Sequence, residues 1–358
     1  MISPKKHVTE VFRTPPDKTD RSRYLRLDKN ENIAELSKPR IDRILKKITP
    51  EFLASYPFVY KIQKKICDHL SFPEDMVLVT AGSDAAIKNV FEVFIEKQDE
   101  VILPDPTYAM YDVYAKLFQA EVNHIRYTDD LKLPVDKILS RIGKKTRLVV
   151  LANPDSPTGT IIPQKEILKI CSKARRESAI VLIDEAYFPF YPETMIKFTK
   201  TLDNLIVTRT FSKAYGLASL RLGYAAAHPD LIRNLRIFRP MYETNGFAVL
   251  FACEVLDHPR WIEKNVRDTN AGRDYLARQM EKIGLYSYPS YANFINIRVG
   301  HNNVVPLVRY MQEKGILIKA GSDHPALRDC IRITTGPVSK MKIVENLIKK
   351  YLADNRRK

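Results

Sequence analysis

A chain of 358 residues and 41.3 kDa, 45% hydrophobic and 28% charged, has the composition of an ordinary globular protein, long enough to bury a large core and divide into two domains. Its 58 basic and 42 acidic residues leave a net charge of +16, spread through Lys5 and Lys6, Arg21 to Arg26, Lys61 to Lys65 and Lys349 to Lys358. Such scatter predicts no nucleic-acid module, no apolar run nears the ~20 residues that span a bilayer, and the N-terminus lacks a signal peptide's apolar core, so a cytoplasmic protein is expected.

Residues 1–45 are polar and punctuated by proline, and read as an arm with little core of its own. From 46 to 240, strand-like runs at Val77 to Thr80, Val101 to Leu103, Glu121 to Arg126, Leu148 to Ala152, Ile180 to Ile183, Leu205 to Val207 and Leu222 to Ala226 alternate with helix-like segments. Helices are predicted, for example, over Asp84 to Glu96 and Gln164 to Arg176. The alternation predicts an α/β domain built on a mostly parallel seven-stranded sheet. Residues 241–358 read as a smaller α+β domain, with helices near Trp261 to Ile283 and Val304 to Lys314 and a strand at Phe294 to Arg298. The four cysteines, Cys67, Cys171, Cys253 and Cys330, have no paired spacing, which predicts buried thiols and neither disulfides nor a metal site.

Three places along this order carry chemistry. Gly82, Ser83 and Asp84 follow a strand and open a helix, which makes either an anion site of free N–H groups or an ordinary helix start capped by Ser83 or Asp84. The apolar runs ending at Ala152 and Ile183 lead into Asn153 and into Asp184, Glu185 and Tyr187, so two polar clusters point at the carboxyl edge of the sheet, where open α/β sheets bind ligands. Lys213 lies on a turn between two apolar segments, with Ser212 before it and Arg221 after it. Desolvation there would neutralise its amine and make it nucleophilic, as a Schiff-base lysine requires.

These runs, with LDKNEN (27–32), SYP (55–57), AGSDAAI (81–87), PDPTYAMY (104–111), ANPDSPTG (152–159), DEAY (184–187), SKAYGLASLRLGY (212–224) and IRITTG (331–336), together resemble the fold type I pyridoxal-phosphate enzymes, most closely the histidinol-phosphate aminotransferases. The resemblance implies pyridoxal 5'-phosphate as cofactor, with Lys213 forming the Schiff base and then shuttling a proton, Asp184 pairing with the pyridine nitrogen, and Tyr187 on the phenolic oxygen. It places Tyr108 against the ring, and Gly82, Ser83, Asp84, Thr210, Ser212 and Arg221 around the phosphate. Tyr56 would reach the partner subunit's cofactor phosphate, which implies a homodimer with shared sites. Arg332 would grip a substrate carboxylate and suit glutamate as amino donor, a structural salt bridge being its other reading.

Three departures from the family pattern stand out. Ser156 replaces an asparagine before Pro-Thr-Gly, so either Ser156 or Asn153 meets the phenolic oxygen; Lys319 replaces a second substrate arginine; and PMYETN (240–245), with Tyr242, differs from the usual substrate-contact loop. The expected function is amino-group transfer, in amino-acid biosynthesis, between glutamate and a phosphorylated or otherwise anionic small substrate. An amino-acid phosphate decarboxylase of the same fold is the alternative. A DNA-binding regulator with an aminotransferase-like domain is disfavoured because no winged-helix segment precedes the match.

Overall fold

The computed structural model describes residues 2–12 and 18–355. Part of the expected arm and the end of the C-terminal basic run lie outside the described residues. In chain order the strands are β1 (Leu25–Arg26), β2 (Val77–Thr80), β3 (Glu100–Asp105), β4 (Glu121–Arg126), β5 (Thr146–Ala152), β6 (Ile180–Asp184), β7 (Leu205–Thr210), β8 (Gly223–Ala227), β9 (Phe294–Arg298), β10 (Ile316–Leu317), β11 (Lys319–Ala320) and β12 (Cys330–Thr334).

The central sheet has seven strands in the order β2-β8-β7-β6-β5-β3-β4. All neighbours run parallel except β8, which is antiparallel to both β2 and β7. The reason is local: β7 and β8 are joined by residues 211–222, which hold only a three-residue helical turn and no α-helix to carry the chain back along the sheet. That connection holds Lys213, so the one reversal of direction sets the site lysine at the end of β7.

Alternation along the strands sends Val149, Leu151, Val181 and Ile183 into one core, and Leu148, Val150 and Leu182 into another on the opposite face. Both faces are covered, which explains the unbroken apolar runs in the sequence. The helices Gln164–Arg176 and Ser83–Phe94 lie in the layers that do the covering.

A third core forms around β9 and β12 with the helices Pro259–Glu281, His301–Glu313 and Val338–Asn355. Leu27 is fully buried in it, and β1 pairs in parallel with β10, so the segment 25–33 is built into the C-terminal core. The helix Gly246–Leu256 instead packs Ala248, Val249 and Ala252 into the large cluster beside the sheet. All four cysteines are free and buried, and among the described residues no helix is long and apolar enough to cross a membrane.

Candidate active site

A cavity of about 550 Å³ opens at the carboxyl ends of the parallel strands. One wall is Ser83, Asp84 and Tyr108; the floor is Asp184, Tyr187 and Lys213; the C-terminal core supplies Lys319, Ser322 and Arg332. Asp28, Lys29 and Asn30 close it from the arm.

Lys213 donates from Nζ to the Lys29 carbonyl at 3.0 Å. Burial, reinforced by the nearby Arg332, lowers its amine from the usual 10.5 to about 8. About a tenth of this amine is therefore unprotonated at pH 7, several hundred times the share in an ordinary lysine. Asp184, at the end of β6, accepts from the Tyr111 hydroxyl at 2.9 Å and from Thr208 at 3.1 Å. Burial raises its carboxyl to about 6. A buried acid held only by uncharged donors remains costly until a cation meets it. Tyr187 is buried and accepts from Asn30 Nδ2 at 2.8 Å, with the Ser156 hydroxyl beside it.

Beneath this floor Glu185 takes two bonds from Arg209, at 3.0 and 2.9 Å, and Arg209 lies over the Phe188 ring. The pair is buried and fully hydrogen-bonded, through Thr194 and the Met195 N–H as well, so it ties the end of β6 to β7 directly behind Asp184.

The Ser83–Phe94 helix points its N-terminus at the cavity, and Gly82 precedes it at φ +88°. A Cβ on Gly82 would come within 2.8 Å of Arg221 Nη2, so glycine is what lets the guanidinium lie over the helix start. Arg221 donates to Ser212 Oγ at 3.1 Å and, among the described residues, has no carboxylate partner. Thr210 Oγ1 accepts from the Ser212 N–H at 3.1 Å. A positive helix end beside an unneutralised arginine suits a dianionic phosphate.

Gly223 closes the same turn from below. A Cβ there would sit 2.6 Å from the Arg209 carbonyl and closer still to the backbone of Ser83. Gly223→Ala is therefore expected to destabilise the fold by about 1–3 kcal/mol and to weaken phosphate retention; thermal melting and phosphate-ester affinity both equal to wild type would refute this.

Strand register brings the remaining cations together. Lys319 of β11 stands directly opposite Arg332 of β12. Two like charges in that position repel, and neither has a carboxylate partner among the described residues. Arg332 is 9% exposed, donates to the Asp28 carbonyl at 3.0 Å, packs 5.3 Å from the Phe294 ring centre and leaves its Nε without a partner. Among the described residues Arg332 makes no salt bridge, although the charge of Asp28 lies close enough to act on it.

Not every expected residue reaches the cavity. Asn153 is buried, but its amide is spent at both ends on Ile162, accepting from the N–H at 2.8 Å and donating to the carbonyl at 3.3 Å. Ser156 lines the cavity in its stead. Tyr242 lies outside and exposed, and Tyr56, expected at a partner subunit's site and not at this one, stacks on it at 4.0 Å. Conversely, Tyr111, Thr208 and Asn30 hold the floor residues although sequence reasoning gave them no role. Tyr111 and Asn30 were visible within PDPTYAMY and LDKNEN, but nothing local says what they touch.

The sequence pattern of aminotransferase class I and II matches residues 27–350. A histidinol-phosphate aminotransferase of Caldanaerobacter subterraneus subsp. tengcongensis is 31% identical over 333 residues, 92% of this chain and 93% of that protein. Among solved structures, a histidinol-phosphate aminotransferase from Sinorhizobium meliloti, in complex with pyridoxal-5'-phosphate, superposes with a TM-score of 0.86 at 22% identity, covering 98% of this chain and 99% of that one. An L-threonine-O-3-phosphate decarboxylase from Porphyromonas gingivalis also shares the fold, with a TM-score of 0.78 at 21% identity over 92% of this chain and 99% of that one. The same architecture thus carries two reactions, and only the site can separate them.

Proposed function

Since the chain belongs to the class I and II aminotransferases, we propose that it is a pyridoxal-phosphate enzyme of cytoplasmic amino-acid biosynthesis, moving an amino group between glutamate and a phosphorylated or otherwise anionic small substrate. Histidinol phosphate is the first amine to test, because the relatives at about 30% identity carry that name. The observation that carries the reading is Lys213, an amine lowered to about 8 in a cavity that also holds a buried acid and two cations without carboxylate partners.

The residues present fit the cofactor. Gly82, Ser83, Thr210, Ser212 and Arg221 would hold its phosphate, Asp184 its ring nitrogen, Tyr108 its ring face, and Tyr187 with Ser156 its phenolic oxygen. When bound, pyridoxal phosphate supplies an aldehyde for the substrate's amine and a ring that draws electrons from the α-carbon. Lys213 Nζ then takes the proton from that carbon and returns it on the other side of the transfer. Arg332 orients the substrate through its carboxylate, and Lys319 receives a second anionic group. Asn30 fixes the Tyr187 hydroxyl from the arm, and Arg332 is fixed by the Asp28 carbonyl, so the closing segment also excludes water from the reacting proton.

We propose an arm (1–45), whose segment 25–33 packs into the C-terminal core, a cofactor-binding domain (46–240), a small domain (241–358), whose helix Gly246–Leu256 packs back on the sheet, and a homodimer. Support for the homodimer is the exposed apolar group Leu53, Tyr56, Phe58, Phe238, Met241 and Tyr242, within which Tyr56 stacks on Tyr242.

Glutamate added to the cofactor-loaded protein tests the reaction class. Formation of 2-oxoglutarate with pyridoxamine phosphate supports transamination, whereas carbon dioxide release from a phospho-amino acid, with no amino transfer, would replace it with decarboxylation. Arg332→Ala is expected to raise the KM for glutamate about 10²-fold, the scale of a lost charge-assisted carboxylate contact. Steady-state kinetics would show this, and an unchanged KM would remove Arg332 from the substrate site.

A further inference from the structure

One buried acid beside the cavity has no part in the chemistry above. Asp155 is 1% exposed, and no basic group neutralises it among the described residues. Burial raises its carboxyl to about 7. Its Oδ2 accepts from Thr107 Oγ1 at 2.7 Å, and its Oδ1 accepts from Thr158 Oγ1 at 2.9 Å. Its backbone closes the turn to Thr160 and Gly159, each bond 2.9 Å long.

These bonds join pieces that are remote in sequence. Thr107 and Tyr108 follow β3, Ser156 and Pro157 follow β5, and Asn296 on β9 donates to the Pro157 carbonyl at 2.9 Å. All five residues line the cavity, while Asp155 itself does not. An asparagine would fill the same space without the charge, but it offers one acceptor oxygen and one donor group. When ionised, the carboxylate accepts on both sides, so in that form both threonine hydroxyls donate inward and their orientation is fixed.

We propose that Asp155 is a positioning residue that, through Thr107, sets the separation between Tyr108 and the Ser156–Pro157 wall, and so the width of the slot for the cofactor ring. This rests on the reading of the cavity as a pyridoxal-phosphate site. It does not depend on which amine is the substrate.

The test is a double-mutant cycle of Asp155→Ala and Thr107→Val, read by amide hydrogen exchange of residues 105–111 without cofactor, by pyridoxal-phosphate affinity, and by kcat and KM with glutamate. Each single variant is expected to speed exchange at Tyr108 and to lower kcat about tenfold, a misplacement effect, with KM for glutamate unchanged. The double variant is expected to be no worse than either single. Should Asp155→Ala fail to fold, Asp155→Asn takes its place in the cycle, with the same non-additivity expected at a smaller loss. Wild-type exchange and kcat in Thr107→Val, or losses that add, would overturn the proposal. If the wild-type protein neither binds pyridoxal phosphate nor reacts with glutamate, the functional reading falls. The exchange arm then decides whether Asp155 anchors Tyr108.

Discussion

Lys213→Ala is expected to lose at least about 10³-fold in the glutamate half-reaction, because the variant removes both the nucleophilic amine and the base that moves the α-proton. Single-turnover absorbance would measure it, and borohydride reduction should leave no pyridoxyl label on the chain. A variant that still transaminates within tenfold of wild type, or is still labelled, would move the chemistry to another residue. The same amine predicts a pH dependence in the wild-type apoprotein. Its pKa is lowered to about 8, so the reactive neutral form becomes the majority above that pH and not above the ordinary 10.5. Modification by a small aldehyde should therefore rise with pH to a midpoint near 8.

Asp184→Asn should cost activity without costing the fold. The amide keeps an acceptor for Tyr111 or Thr208 but cannot neutralise a protonated ring nitrogen, and a loss of about 10²–10³-fold in kcat is expected, as when one preorganised electrostatic contact is removed. Stability should move the other way. The folded pKa of about 6 lies above the ordinary 3.8, so between those values the folded state holds a proton that the unfolded chain has released. Ionisation therefore destabilises the fold as pH rises through that window. Asparagine carries no such penalty, and the melting temperature at pH 7 should equal or exceed that of wild type. A variant that unfolds, or one that keeps full kcat, would show that Asp184 is a structural acid. An active site that retains a destabilising charge is the ordinary trade between stability and function.

The boundaries that were legible in the sequence are those governed by local patterning. Gln164–Arg176 begins and ends where its periodicity does, because one face is buried and the other is not, and Phe294–Arg298 ends at the exposed Arg298, where its buried run stops. Glu100–Asp105 extends past the apolar run read from the sequence, since its ends are drawn into pairing with β4 and β5. Lys213, Asp184 and Arg221 were readable as a set because strand ends and turns place chemistry at the sheet edge. Asn153 was not readable, because its amide is used by Ile162, and hydrogen-bond partners leave no trace in composition.

By itself, then, the sequence determined the alternation of strands and helices, the sheet edge at which polar groups collect and the placing of Lys213 at that edge, since all of these follow from spacing along a few turns of chain. Tertiary structure alone decided that Asn30 holds Tyr187, that Lys319 faces Arg332 across a strand pair with neither in an ion pair among the described residues, and that Asp155 joins two loops beneath the cavity wall. Those contacts link positions far apart in the chain. They exist because burying three separate cores brings the segments together, and a side chain's partner is then fixed by where the whole chain comes to rest.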